Sequence, residues 1–281
     1  MPDIRYAQNE NVDRGDLRMQ VIERGTSTPI DDAKISISYS GDPDSTVEEV
    51  NTDASGMSET LTLDTPPLEL SMQPSEVQPY AEYTIQVTAK GYRPINISGI
   101  EVFSGQLSLQ EIRMDAEEAT ESMTDNIVIP AHTLFAEYPP KIAEAEIKPV
   151  TETGEIVLSR VVIPEYVIVH DGAPSDPTAR DYYVRYRDYI KNVASSEIYS
   201  TWPDTTIRAN VLAIMSFTLN RVYTEWYRNK GYSFTITSST AYDQKFMYGR
   251  NIYQSISDVV DEMFQNYLSR PNVRQPILTQ Y

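Results

Sequence analysis

Apolar and polar residues alternate along Leu17-Arg18-Met19-Gln20-Val21-Ile22-Glu23-Arg24, Ala33-Lys34-Ile35-Ser36-Ile37-Ser38-Tyr39 and Tyr83-Thr84-Ile85-Gln86-Val87-Thr88-Ala89. This is the two-residue period of strands with one face in a core. The turn formers Ser40-Gly41-Asp42-Pro43-Asp44 and Thr52-Asp53-Ala54-Ser55-Gly56 fall between them, so the N-terminal part reads as a small β-sandwich. Asp115 to Asp125, rich in Glu, Ala and Thr, reads as a short helix or linker. From Ile127 to Arg180 seven prolines exclude a long helix, leaving Glu155-Ile156-Val157-Leu158 and Tyr166-Val167-Ile168-Val169 as candidate strands.

After Thr205 the period changes. Ile207, Val211, Leu212, Met215, Phe217, Leu219, Val222, Tyr223 and Trp226 predict a mostly buried amphipathic helix running to Asn229. Thr201-Trp202-Pro203-Asp204 ahead of it has the form of a capping box. A second helix is predicted over Ile252 to Leu268, and Tyr232 to Thr237 alternates like a strand. The expected fold class is multidomain, an all-β sandwich followed by an α+β module.

Composition supports the division. Of a net charge of −18 over 281 residues, −16 lies at or before Ile127, where 24 acidic residues face 8 basic ones. That step marks two modules and argues against nucleic acid as a partner, which would need a basic face. No apolar run reaches the length of a membrane span, and Met1-Pro2-Asp3-Ile4-Arg5 lacks the apolar stretch of a secretory signal. With no cysteine and only His132 and His170, neither a thiolate nucleophile nor a structural zinc site is expected, and no cofactor is implied. His170-Asp171 has the look of half a triad, but no serine nucleophile motif accompanies it.

Two resemblances sharpen this picture. Thr28-Pro29-Ile30-Asp31-Asp32-Ala33, Thr52-Asp53-Ala54-Ser55-Gly56 and Ala89-Lys90-Gly91-Tyr92 together resemble the transthyretin-like, carboxypeptidase regulatory-like domain. This implies a β-sandwich over residues 1–114 that spaces or docks and carries no chemistry. Residues 115–180 are then linker and entry strands. Within 181–281, Tyr189-Ile190-Lys191-Asn192-Val193 leads to Glu197, with Trp202-Pro203 five and six positions beyond, then Arg208-Ala209-Asn210, then Asp243-Gln244 and Gly249. These four ordered elements resemble the stage II sporulation protein D family of peptidoglycan lytic transglycosylases.

The second resemblance implies cleavage of the MurNAc–GlcNAc bond without water, leaving a 1,6-anhydro end, on peptidoglycan glycan strands. One carboxyl group serves for both proton transfers, protonating the leaving oxygen and then deprotonating the C6 hydroxyl of the same sugar. Glu197 stands in that position; to be protonated near neutral pH it needs an apolar pocket, with Val193, Ile198 and Trp202 the nearest candidates. Tyr189, Tyr199, Trp202, Asp243 and Gln244 are the expected substrate-binding residues, since aromatic faces with polar tips suit sugars.

The pattern departs from the family at two places. An Arg usual 18 residues past the Glu is Met215 here, with Arg221 the candidate to replace it, and the chain reaches Tyr281 before the family's Gly-rich continuation and its final G-x-S-Q-W/Y-G motif. The expectation is a fragment of a longer protein. A non-catalytic glycan-binding or amidase-enhancing protein is therefore the alternative. A third reading is an adaptor whose acidic β-sandwich docks to another cell-wall or spore protein. Either setting places the protein at the cell wall or spore, with the export route open.

Overall fold

The computed structural model describes residues 12–75, 77–117, 124–132, 134, 138–145, 147 and 158–279. Among them the protein is mostly β, with three sheets and three α-helices. The chain forms two compact units that do not divide at one cut: the first comprises Met1–His132 with Tyr199–Trp202 and Tyr248–Ser255, the second Thr133–Ile198, Pro203–Met247 and Ile256–Tyr281. No helix among the described residues is long and apolar enough to cross a membrane.

In the first unit, β1 (Asp13–Glu23), β4 (Leu61–Thr65), β7 (Leu107–Met114) and β12 (Ile252–Tyr253) form one sheet, in the order β12-β7-β1-β4. A second sheet has the order β3-β2-β5-β6-β8, from β2 (Lys34–Tyr39), β3 (Asp42–Asn51), β5 (Ala81–Thr88), β6 (Ile95–Val102) and β8 (Asp125–Val128). The alternation read from the sequence is realised: Leu17, Met19 and Val21 of β1, Ile35 and Ile37 of β2, and Ile85 and Val87 of β5 are all fully buried. The sheets share that core, and the Tyr83 hydroxyl on β5 donates to the Asp64 carbonyl on β4 of the other sheet at 2.7 Å. Asp53 organises the predicted turn, its Oδ1 accepting from the amides of Ser55 and Met57 at 2.8 and 3.1 Å.

Gly99 in β6 has φ +82°, and a Cβ there would lie 2.2 Å from the Ile129 carbonyl oxygen. Gly99→Ala therefore combines left-handed strain with a backbone clash, and we expect it to cost more than about 1–2 kcal/mol in urea unfolding. An unchanged midpoint would contradict this packing.

The second unit holds β9 (Tyr166–His170), β10 (Asp181–Arg185), β11 (Ile236–Thr237), α1 (Tyr186–Glu197), α2 (Asp204–Tyr223) and most of α3 (Gln254–Met263). Its sheet runs β10-β9-β11, with Val167 and Val169 of β9 fully buried. The second half of α2 is buried nearly all round, from Ile214 to Arg221. Its hydroxyls tolerate this because Ser216 and Thr218 donate to the carbonyls of Leu212 and Ile214 at 2.7 and 3.0 Å.

Several local expectations are corrected. The N-cap of α2 is Pro203, with no side-chain capping bond; Asp204 instead pairs with Arg208 one turn on at 2.6 Å, and the Thr201 hydroxyl is buried without a partner. The helix ends at Tyr223, short of Asn229, and continues through a turn into a short 3-10 segment, Arg228–Lys230. Only Ile236–Thr237 of the Tyr232–Thr237 stretch is a strand, because Tyr232 and Phe234 pack with Tyr227 instead, at ring centroid distances of 4.8 to 6.0 Å. Ile252–Tyr253 is extended against β7 rather than helical, and α3 stops at Met263. Of the expected strand Glu155–Leu158 only Leu158, which is not in a strand, is among the described residues, and most of the Asp115–Asp125 linker lies outside them.

Candidate functional site

Helix α1 brings Glu197 to its last turn. Tyr186, Tyr189, Ile190 and Val193, spaced at three and four residues, form its buried face, in a helix that was not predicted from the sequence. The half-buried Glu197 meets the loop after β11: its Oε1 accepts the Lys245 backbone N–H at 2.7 Å. One turn earlier, Asn192 clamps the same loop, donating from Nδ2 to the Met247 carbonyl at 2.8 Å and accepting the Met247 N–H at 2.9 Å. Glu197 and the Asp243-Gln244-Lys245 loop, distant in sequence, are thus one structural element.

Asp243 and Gln244 turn inward, each 1% exposed. Asp243 accepts from Arg221 Nε, the Tyr227 hydroxyl and the Thr237 hydroxyl, each at 2.6 Å, and from the Thr237 N–H at 2.9 Å. Gln244 Oε1 accepts from Thr218 at 2.8 Å and from the Tyr189 hydroxyl at 3.2 Å, while its Nε2 donates to the Ile214 carbonyl at 3.1 Å. These contacts hold the loop against α1 and α2. Asp243, Gln244 and Tyr189 are thus buried and hydrogen-bonded within the protein beneath Glu197. Burial raises the Tyr189 and Tyr227 hydroxyls well above their usual range, with the Asp243 charge adding to it, so both remain neutral donors.

Two cations belong to this cluster. Arg221, 2% exposed, lies 2.7 Å from Glu144 as well as 2.6 Å from Asp243, and its guanidinium rests over the rings of Phe217 and Trp226 at 4.8 and 5.2 Å. Burial alone would lower it, but its two carboxylates outweigh that and the guanidinium is raised. Met215 is fully buried and apolar. Lys141 is exposed as a residue, yet its Nζ turns inward to donate to the Asp243 carbonyl. Burial of that end pushes the ammonium below its usual value, opposed first by the Glu197 charge and then by Asp243. Lys141 and Glu144 carried no motif and were missed from sequence; the proline-rich run around them gave no periodic signal.

Tyr199 and Trp202 fall in the first unit. Tyr199, 5% exposed, packs against Phe103 and His132 at 5.2 and 4.8 Å, and Trp202 donates from its indole nitrogen to the Ser71 carbonyl at 3.2 Å. Both are packing residues there. His170 pairs with Asp181 at 2.7 Å, not with its neighbour Asp171. Among the described residues no group of three His, Asp or Glu is placed to hold a metal ion.

No family model and no curated protein matches the chain. Among solved structures, the Bacillus anthracis TIE protein is 15% identical over 37% of this chain and 17% of its own, with a TM-score of 0.26. Klebsiella pneumoniae 5-hydroxyisourate hydrolase is 16% identical over 37% of this chain and 92% of its own, with a TM-score of 0.25. Wild-type Acinetobacter radioresistens catechol 1,2-dioxygenase is 14% identical over 43% of this chain and 59% of its own, with a TM-score of 0.26. The chain thus spans 17% of the TIE protein and 59% of the dioxygenase. Likenesses at these TM-scores carry no argument about this chain.

Proposed function

We propose that the chain is a glycan-processing protein of the lytic transglycosylase type, with Glu197 as the single acid/base carboxylate, preceded by a transthyretin-like β-sandwich. The observation that carries the enzymatic part is the bond between Glu197 and the Lys245 N–H, which joins the two halves of the sequence motif at one place. The sandwich reading is supported by the Asp53-centred turn and the two sheets sharing one core. Incubation of the full chain with purified peptidoglycan strands tests the enzyme. Anhydro-ended products that disappear in Glu197→Gln are expected, and their absence from the parent protein sinks the catalytic reading.

The non-catalytic glycan-binding reading has its own supporting observation. A backbone N–H at 2.7 Å and the nearby Lys141 are partners suited to an ionised carboxylate, whereas proton donation to a leaving oxygen needs the neutral acid. Retained sedimentation with peptidoglycan, with no anhydro product from the parent protein, selects that reading.

A further inference from the structure

At the opposite end of α1 from Glu197 the second unit contains a cleft of about 810 Å³, within the range of ligand sites. Helix α1 has 12 residues, so its two ends stand about 17 Å apart. The cleft is separate from the Glu197 cluster and shares none of its residues.

Its floor is aromatic: Tyr186, Phe264 and Tyr267 line it, the last two only half-buried. The Arg187 guanidinium lies over Phe264, 3.6 Å from the ring centroid, with Asp261 at 3.7 Å. Asp261 also takes Lys191 at 2.7 Å. Arg185, exposed at the cleft's edge, reaches over Tyr166 at 5.8 Å and extends the aromatic track onto the outer face of β9 and β10, where Tyr166 and Tyr183 are 44% and 75% exposed. Tyr183 faces the same side as Tyr166 because their cross-strand partners are Ile168 and Arg185, two rungs apart with the Val184–Val167 pair between them.

The charges decide the ligand class. Arg185, Arg187 and Lys191 are matched by Glu165, Asp188 and Asp261, so the lining is electrically balanced in a chain of net charge −18. A balanced lining gives no attraction to a polyanion or to a basic peptide. It does present fixed donors and acceptors side by side between aromatic faces, which is what an uncharged ring bearing several hydroxyls needs: hydrogen bonds of both senses at its edge and stacking on its apolar face. Nucleobases share the stacking, but a nucleic acid brings phosphates that this lining does not neutralise.

We infer that this cleft is a binding site for a neutral oligosaccharide, distinct from the Glu197 cluster. The choice of an amino-sugar probe rests on the proposed function; the cleft's own chemistry does not. The test is calorimetric titration of the full chain with an N-acetylglucosamine hexamer, for the parent protein and for Phe264→Ala, Arg187→Ala and Glu197→Gln. Saturable binding is expected, weakened about tenfold or more by each cleft substitution, still saturable in Glu197→Gln, and little altered between low and high salt because the ligand carries no charge.

Binding lost in Glu197→Gln but kept in both cleft variants overturns this site and leaves the glycan reading of Glu197 standing. No saturable binding to the parent protein overturns the cleft proposal, while anhydro-product formation remains a separate measurement for the proposed reaction. Preference for a charged peptide or an acidic polysaccharide, lost on adding salt, also overturns it. Arg187 is exposed, so Arg187→Ala keeps the comparison usable if Phe264→Ala unfolds.

Discussion

Asp243→Ala is expected to destabilise the protein by about 3–5 kcal/mol in urea or thermal unfolding, because it strips a buried cation of a partner and leaves donors unsatisfied. Arg221, 2% exposed, would keep Glu144 as its carboxylate partner and the Tyr242 carbonyl at 2.9 Å, and the Tyr227 and Thr237 hydroxyls and the Thr237 N–H would each lose the acceptor they now reach at 2.6 to 2.9 Å. Asp243→Asn should cost less, since one amide oxygen can still accept. The comparison separates scaffold from ligand contact. If Asp243→Ala shifts stability by less than about 1 kcal/mol while weakening glycan binding, Asp243 is a substrate group after all and the inward-facing network is wrong. A double-mutant cycle with Arg221→Met checks the cause: the pair replaced together should lose less than the two losses added.

That network bears on chemistry because it fixes the loop whose Lys245 N–H meets Glu197. The carboxylate is positioned by a backbone group, and that group is held by a buried ion pair, Asp243 with Arg221, and by an amide wedged between α1 and α2, Gln244 with Tyr189 and Thr218. The position of Glu197 is therefore fixed from beneath.

The strands of the first unit were legible because burial on one face writes itself into every second residue: Leu17, Met19 and Val21 point in while Arg18 and Gln20 are less buried. Helix α2 was legible for its apolar content, but its cap was misread, since Asp204 is drawn to Arg208 rather than back to Thr201. The tail of Tyr232 to Thr237 kept a strand-like alternation although its aromatic residues serve a side-chain cluster, something a local period does not distinguish. Within the candidate site, Glu197 and Asp243-Gln244 were found by motif, but which of them faces inward was not, because a motif records identity and spacing and leaves orientation open. Arg221 was named only as a substitute for the missing Arg at Met215; its pairing with Asp243 and Glu144 depends on contacts spanning 22 and 77 residues, beyond any local pattern.

Tyr248–Ser255, which joins the first unit from far along the chain, leads to the second large expected effect. Ile252 and Tyr253 pair with Leu109 and Ser108 on β7, and beside them Arg250 is ion-paired to Glu101 of β6, both side chains fully buried. Tyr253 donates to the same Glu101 oxygen at 2.9 Å, and Glu101 Oε1 is buried without a hydrogen bond. Burial pushes the Glu101 carboxyl above its ordinary value of 4.5, opposed by Arg250 and Tyr253; Glu82, opposite it on β5, adds a like charge.

Arg250→Met removes the main compensation and should cost about 3–5 kcal/mol at neutral pH. A carboxyl raised on folding binds its proton more tightly in the folded than in the unfolded chain. Its stabilising contribution is thus fully present below the ordinary glutamate value and is lost as pH rises through the raised one. The Arg250→Met deficit should therefore shrink as the pH falls from neutral toward the ordinary glutamate value, because Glu101, raised by burial, takes up its proton before that value is reached. Glu101→Gln combined with Arg250→Met, which has no buried charge to titrate, should recover most of the loss at neutral pH and serve as the reference for every other acid-dependent change. Urea midpoints for the two variants across that range check the argument. Parallel pH curves for the single and double variants would mean that the charge on Glu101 is not what Arg250 compensates.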